Sequence, residues 1–234
     1  MAEIELWWFP GTCSRVTLVA LEEIGVPFRL HLSPVARTSD AAFLRVNPKG
    51  RVPVLIIDGA RLTETPAIVT YLADRYVAAR LLPAKSRLLA IDALATMSWI
   101  AGTIHPSITR SRYPQRFCDV PGSVGRTREL ATQALRNCFE IVEERLTDSD
   151  WLYGEWSIVD AYLLWAWFRA VGSDMDASGL TRCAAHAARC ELRPSVARTL
   201  DREESTYAWM LRSGALEVEL PPHQVGRSKR PVAT

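Results

Sequence analysis

Pro10-Gly11-Thr12-Cys13-Ser14 lies between an apolar run, Ile4 to Phe9, and an amphipathic run, Val16 to Ile24. The pattern reads as a strand, a tight turn and a helix, with a thiol and a hydroxyl placed where the helix begins. The first N–H groups of a helix have no partner within it and its dipole favours negative charge there, so a cysteine at that end tends toward the thiolate. Two readings stand on these residues alone. In one, Ser14 caps the helix and Cys13 is a small buried filler; in the other, the turn presents a reactive sulfur.

Working outward, Glu3 to Phe9 alternates and then turns wholly apolar, as a central strand does, and Gly25 ends the following helix. After Pro27, Phe28 to Leu32 alternates as a second strand. A strand, helix and strand of these lengths imply a parallel pair with a right-handed crossover, which puts the helix start at the carboxyl edge of the sheet, where open α/β sheets bind ligands. A polar stretch (33–39), a short helix (40–46) and the turn Asn47-Pro48-Lys49-Gly50 come next. Arg51 to Ile57 is a strand with Pro53 near its start. Proline donates nothing to a ladder, so it belongs at an edge or in a cis bond. Asp58-Gly59 signals a hairpin into a short strand, Ala60 to Leu62. Thr63-Glu64-Thr65-Pro66 then opens a helix, with Thr65 as N-cap, Pro66 at the first helical position and Ile68, Tyr71 and Leu72 on its apolar face. Helix starts bind anions, so this is a candidate carboxylate site.

The pattern lapses around Leu81-Leu82-Pro83, and beyond it the chain reads as helix almost throughout, at about 85–113, 124–146, 157–171, 178–190 and 194–211. Ser157-Ile158-Val159-Asp160 is a capping-box pattern, and the helix it opens is apolar nearly all round, so its tryptophans belong to a core. The division expected is a sheet domain over 1–79, a linker at 80–86, an all-helical domain over 87–213 and an irregular tail over 214–234.

With 234 residues and 48% hydrophobic content, the chain fills two cores without disulfide or metal staples. A net charge of +2 with mixed signs points to neither a nucleic acid nor a membrane surface, and no apolar run is read as membrane length. Five cysteines, an odd number at positions 13, 118, 138, 183 and 190, fit no disulfide framework and no metal spacing. They suggest reduced thiols in a cytoplasm, and the acidic N-terminus does not read as a signal peptide.

Four stretches in this order, spanning about residues 3–212, resemble the glutathione transferase family: Pro10-Gly11-Thr12-Cys13-Ser14, Asn47-Pro48-Lys49-Gly50-Arg51-Val52-Pro53-Val54, Thr63-Glu64-Thr65-Pro66-Ala67-Ile68 with Tyr71-Leu72, and Ser157-Ile158-Val159-Asp160-Ala161-Tyr162. Pro-Gly-x-Cys-Ser and a histidine on the first long helix of the second half, His105, look most like the bacterial beta class. The resemblance implies an α/β + all-α fold, with a thioredoxin-like N-terminal domain followed by an all-helical C-terminal domain.

It also implies roles. Val52, before a cis Pro53, would offer its backbone N–H and C=O to the cysteinyl part of glutathione. Glu64 would take the γ-glutamyl amino group, the Thr65 hydroxyl and N–H its carboxylate, and Arg37 the glycyl carboxylate. Thr65 stands where the family usually has serine. Many classes place a tyrosine on the first strand, opposite the glutathione sulfur; here that neighbourhood is Trp7-Trp8-Phe9, so the role falls to Cys13 first and Ser14 second, with His105 assisting. Trp8 or Phe9 would floor a hydrophobic acceptor pocket walled by about 103–113. The activity implied is conjugation of glutathione, as co-substrate and without a metal, to a small hydrophobic electrophile by a homodimer. A glutathione-dependent thiol-disulfide reductase or lyase working through Cys13, and a non-catalytic glutathione-binding scaffold, are the alternatives.

Overall fold

The computed structural model describes residues 3–33, 40–83 and 85–215. Two compact units divide between Leu82 and Pro83, with the described chain from Pro194 onward belonging to the first.

The first unit is built on a four-stranded sheet. Strand β1 (Ile4–Trp8) is followed by helix α1 (Ser14–Ile24), β2 (Arg29–Leu32), α2 (Ala41–Val46), β3 (Val54–Ile57), β4 (Ala60–Thr63) and α3 (Thr65–Arg75). The strand order is β2-β1-β3-β4. β1 runs parallel to β2, with Trp7 opposite His31, and antiparallel to β3, with Trp7 opposite Val54. The β3–β4 hairpin turns at Asp58-Gly59, where both residues have positive φ. Alternation in β1 buries Ile4, Leu6 and Trp8 on one face; Trp7, on the other, stacks on His31 and tilts against Phe43 of α2. α1 is buried from Ser14 through Leu21 because β1, α3 and the last helix, α9 (Pro194–Arg212), all pack on it. α9 was expected with the helical domain. It belongs with the sheet because Arg15 of α1 and Glu203 of α9, both fully buried, form a two-toothed ion pair, Nε to both carboxylate oxygens at 3.2 and 3.1 Å and Nη2 to Oε2 at 2.5 Å. Glu22 holds Arg198 and Arg202 along the same seam.

The second unit holds α4 (Arg87–Trp99), α5 (His105–Arg112), α6 (Ser123–Arg145), α7 (Ile158–Val171) and α8 (Thr181–Glu191). The single helix expected over 85–113 is interrupted by a π-helical turn, Ile100–Ile104, in which the His105 N–H reaches Ile100 O. Pro106 accounts for it: without an N–H it cannot bond Gly102 O, and its ring would strike that carbonyl in a regular helix. The run Arg87–Arg112 is, by length and composition, long and apolar enough to cross a membrane, contrary to the reading that no run reaches that length. In this fold it lends Ala93, Met97, Ile100, Ile104 and Ile108 to the core of the helical unit.

α7 is buried over nearly its whole surface. Its start carries the expected capping box, and Asp160 does more than cap. Fully buried, it accepts from the Ser157 N–H at 2.9 Å and the Leu152 N–H at 3.0 Å, and its Oδ1 lies 2.9 Å from His186 Nε2 of α8. The tail beyond residue 215 lies outside the described residues.

Candidate active site

The turn between β1 and α1 is tied by hydroxyls. Gly11 supplies the positive φ of 73°. Thr12 Oγ1 donates to Phe9 O at 2.8 Å, and Ser14 Oγ lies 2.7 Å from Thr12 Oγ1 while accepting from the Phe9 N–H at 3.1 Å. Ser14 is therefore the first helical residue, folded back onto the turn, and not the N-cap. Cys13 occupies the N-cap position with no side-chain bond to the helix, and its Sγ donates to Val52 O at 3.5 Å. The Val52–Pro53 bond is cis. Residues 39 apart in sequence thus meet at the helix start: a thiol and a backbone carbonyl at the entry to β3.

The start of α3 differs from expectation. Glu64, not Thr65, is its N-cap, with φ 70° and ψ 118°, in a region that costs a non-glycine residue about 1–3 kcal/mol. Its carboxylate is exposed and paired with Lys49 Nζ at 2.6 Å, which also donates to Thr63 Oγ1 at 3.1 Å. Thr65 is buried, and no described residue bonds its hydroxyl or its N–H. Sequence reading overlooked Lys49; the turn Asn47-Pro48-Lys49-Gly50, closed by Gly50 N–H to Asn47 O, was the signal available.

Trp8 and Phe9 are 2% and 5% exposed. Arg37 lies outside the described residues. Cys13, Ser14, Val52, Pro53, Glu64 and Thr65 belong to the sheet unit, and His105 to the helical unit, half-buried at the first position of α5 with its ring edge-on to Trp165 at 4.6 Å between centroids. An apolar cavity of about 280 Å³ in the helical unit is lined by residues including Trp99, Ile100, Ile141, Leu152 and Leu163, and contains none of the expected site residues.

Burial raises the pKa of the Cys138 thiol. Burial, with Glu143 beside it, raises that of Cys183, and burial with the Asp160 charge raises that of Cys190. These three are structural thiols.

A parallel–antiparallel four-stranded sheet with a thiol at its first helix start and a cis-proline facing it defines a thioredoxin-like domain, here joined to a helical unit. Residues 11–75 match the model of the glutathione S-transferase N-terminal domain. The chain is 31% identical over 205 residues to glutathione S-transferase GstA of Escherichia coli O157:H7, covering 86% of this chain and 98% of that one. Among solved structures, a glutathione S-transferase from Xylella fastidiosa aligns with TM-score 0.81 and 25% identity over 86% of this chain and 99% of its own. A sphingomonad glutathione S-transferase complexed with glutathione aligns at 0.75 and 28% over 86% and 98%. The bacterial beta class enzyme of Sphingomonas chungbukensis aligns at 0.72 and 29% over 85% and 98%. The chain belongs to the glutathione S-transferase family.

Proposed function

We propose that this protein joins glutathione to small hydrophobic electrophiles, with the glutathione sulfur held beside Cys13. The observation that carries the reading is the approach of Cys13 Sγ to Val52 O, 3.5 Å, because the Val52 backbone is the group that would pair with the cysteinyl unit of glutathione. Glutathione laid along the segment entering β3 brings its own sulfur to the start of α1. There the helix dipole and the thiol proton favour a thiolate, and one unit of pKa lowering needs only about 1.4 kcal/mol. The Ser14 hydroxyl is spent within the turn, which favours Cys13 over Ser14 as the group facing that sulfur.

At the other end of the ligand, Glu64 takes the γ-glutamyl amino group in exchange for Lys49, and Thr65 takes the carboxylate with its N–H and hydroxyl. In this reading Arg37, outside the described residues, takes the glycyl carboxylate.

A second reading, reduction of glutathionyl mixed disulfides, is favoured by Cys13 itself: its sulfur attacks the glutathione sulfur of the mixed disulfide, the substrate leaves as a thiol, and a second glutathione resolves the enzyme disulfide. The test is to assay purified protein with glutathione and a chlorinated nitroarene, then with a glutathionylated peptide. Conjugation above the uncatalysed rate supports the first reading; glutathione binding with neither activity replaces it with the scaffold. The working form we propose is a homodimer, on the strength of exposed apolar side chains on α4 and α6 (Leu88, Ile91, Leu130 and Ile141). Its location is the cytoplasm, in keeping with five cysteines none of which is in a disulfide among the described residues.

A further inference from the structure

Lys49 and Glu64 make, within the free protein, the contact that the amino group of a ligand would make. Lys49 Nζ lies 2.6 Å from Glu64 Oε1 and donates to Thr63 Oγ1 at 3.1 Å, so a primary ammonium already sits on the carboxylate proposed for the γ-glutamyl end of glutathione. All of these groups belong to the sheet unit. The backbone of the turn that carries Lys49 is tied down. Asn47, 2% exposed, accepts the Lys49 N–H at 3.1 Å and donates from Nδ2 to Arg51 O at 2.6 Å, while the Gly50 N–H closes the turn onto Asn47 O at 2.9 Å. The ion pair beyond it is exposed: 53% of the Lys49 side chain and 64% of that of Glu64 meet solvent. A pair so exposed is preferred over its separated form by no more than about fivefold, so Glu64 readily exchanges one ammonium for another.

A ligand ammonium that takes Glu64 releases Lys49 beside a new anion. In an α-amino acid the ammonium and the carboxylate share one carbon, which puts the carboxylate oxygens about 3–4 Å from the nitrogen. With the nitrogen on Glu64, the carboxylate lies at the start of α3, where Thr65 is buried and no described residue bonds its hydroxyl. Lys49, with three donors on a flexible four-carbon stem, then needs a shift of only about that same 3–4 Å to meet it.

We propose that Lys49 is a binding residue for the ligand's α-carboxylate, held on Glu64 in the free protein and released to that carboxylate only when an ammonium takes Glu64, so that the site selects a γ-linked amino-acid end with both charges on one carbon. This rests on the placement of the γ-glutamyl end at Glu64 and Thr65 proposed above. The two charges are then read together. A carboxylate without the amine meets Thr65 alone, because Lys49 stays on Glu64; an amine without the carboxylate displaces Lys49 into water.

The test is a cycle of calorimetric titrations at one ionic strength with glutathione, glutaryl-cysteinylglycine, which lacks the amine, γ-aminobutyryl-cysteinylglycine, which lacks the α-carboxylate, and butanoyl-cysteinylglycine, which lacks both. The readout is the ratio of Kd without the carboxylate to Kd with it, taken once with the amine present and once with it absent. In Lys49→Met the first ratio is expected to fall by about threefold to fivefold, the span of an exposed ion pair, and the second to keep its wild-type value. Lys49→Arg keeps a cation on the turn and is expected to retain the first ratio. Both ratios falling alike in Lys49→Met would make Lys49 a fixed positive field, and neither falling would leave it at most a competitor for Glu64; either result overturns the proposal. Glutathione affinity unchanged in both Glu64→Gln and Thr65→Ala overturns the placement of the γ-glutamyl end and the exchange with it. Affinity lost in those variants, with both ratios unchanged in Lys49→Met, overturns the exchange alone.

Discussion

Cys13 Sγ and Val52 O lie 3.5 Å apart, joining the start of the first helix to the entry of the third strand. If the thiol is a reactant only for disulfide chemistry, Cys13→Ser abolishes reduction of a glutathionylated peptide, because an alcohol cannot form the mixed disulfide. The same variant keeps a proton donor at the helix start and is expected to hold conjugation of a chlorinated nitroarene within about tenfold of wild type, the span of roughly one neutral hydrogen bond. Parallel assays of the two reactions check this. Loss of both to the same extent would mean that the sulfur serves conjugation as well.

Glu64 is held by Lys49 in the free protein, whereas no described residue bonds the Thr65 hydroxyl. Thr65→Ala therefore removes nothing from the free protein's hydrogen bonding, and its cost falls on the bound state alone. Glutathione affinity is expected to drop by about tenfold or more in Thr65→Ala and in Glu64→Gln, each losing a hydrogen bond to a charged group. Calorimetric titration with glutathione measures it, and wild-type affinity in Thr65→Ala would remove that helix start from the binding site.

These residues also mark how far the sequence reaches. The β-α-β order, the Asp58-Gly59 hairpin and the Ser157–Asp160 capping box are local patterns, and local patterns are legible; the residues around Pro53 left an edge position and a cis bond both open. Contacts between distant residues are not. Nothing near Arg15 in the chain announces Glu203, 188 residues on, and that pair seats the last helix on the sheet. Pro106 hid its effect because the periodicity of the flanking turns continues through the π-helical insertion. At the candidate site, residue types were readable while their hydrogen bonds were not: Ser14 has the composition of a cap, yet the hydroxyl of Thr12 draws it back into the turn. Thr65 likewise has the composition of a cap, but Glu64 takes that position by adopting a positive φ.

Glu143 of α6 caps a different helix, and this gives stability a pH dependence. Its two oxygens accept the Arg182 and Cys183 N–H groups, each at 2.9 Å, at the start of α8. Partial burial works to raise its pKa, but those two N–H groups and the Arg182 charge outweigh burial and hold it below the usual carboxylate value. A carboxyl depressed in the folded state binds fewer protons there than in the unfolded chain. Its contribution is therefore complete above the unfolded value, about 4.3, and is lost as pH falls through the folded one. Glu143→Ala is expected to cost about 1–2 kcal/mol at pH 7, the worth of a helix cap with its dipole interaction. The gap between wild type and variant should narrow below about pH 4. Urea titrations at pH 7 and at pH 3.5 check both statements, and a gap independent of pH would assign the effect to packing.

The Arg15–Glu203 pair makes the sharpest demand on stability, because both partners are buried beneath the first helix and have no water to turn to. Removing one charge strands the other in the core, at a cost of about 3–5 kcal/mol. Glu203→Gln is therefore expected to lower the urea midpoint strongly. Replacing both, Arg15→Met with Glu203→Leu, removes the stranded charge and the desolvation of its partner together, so the double variant should recover most of that loss. Because α1 carries Cys13 at its N-cap, the same variants report on the site. If the ion pair only holds the helix down, the double variant regains glutathione affinity along with stability. Regained stability without regained affinity would mean that the ion pair also sets the placement of the α1 start.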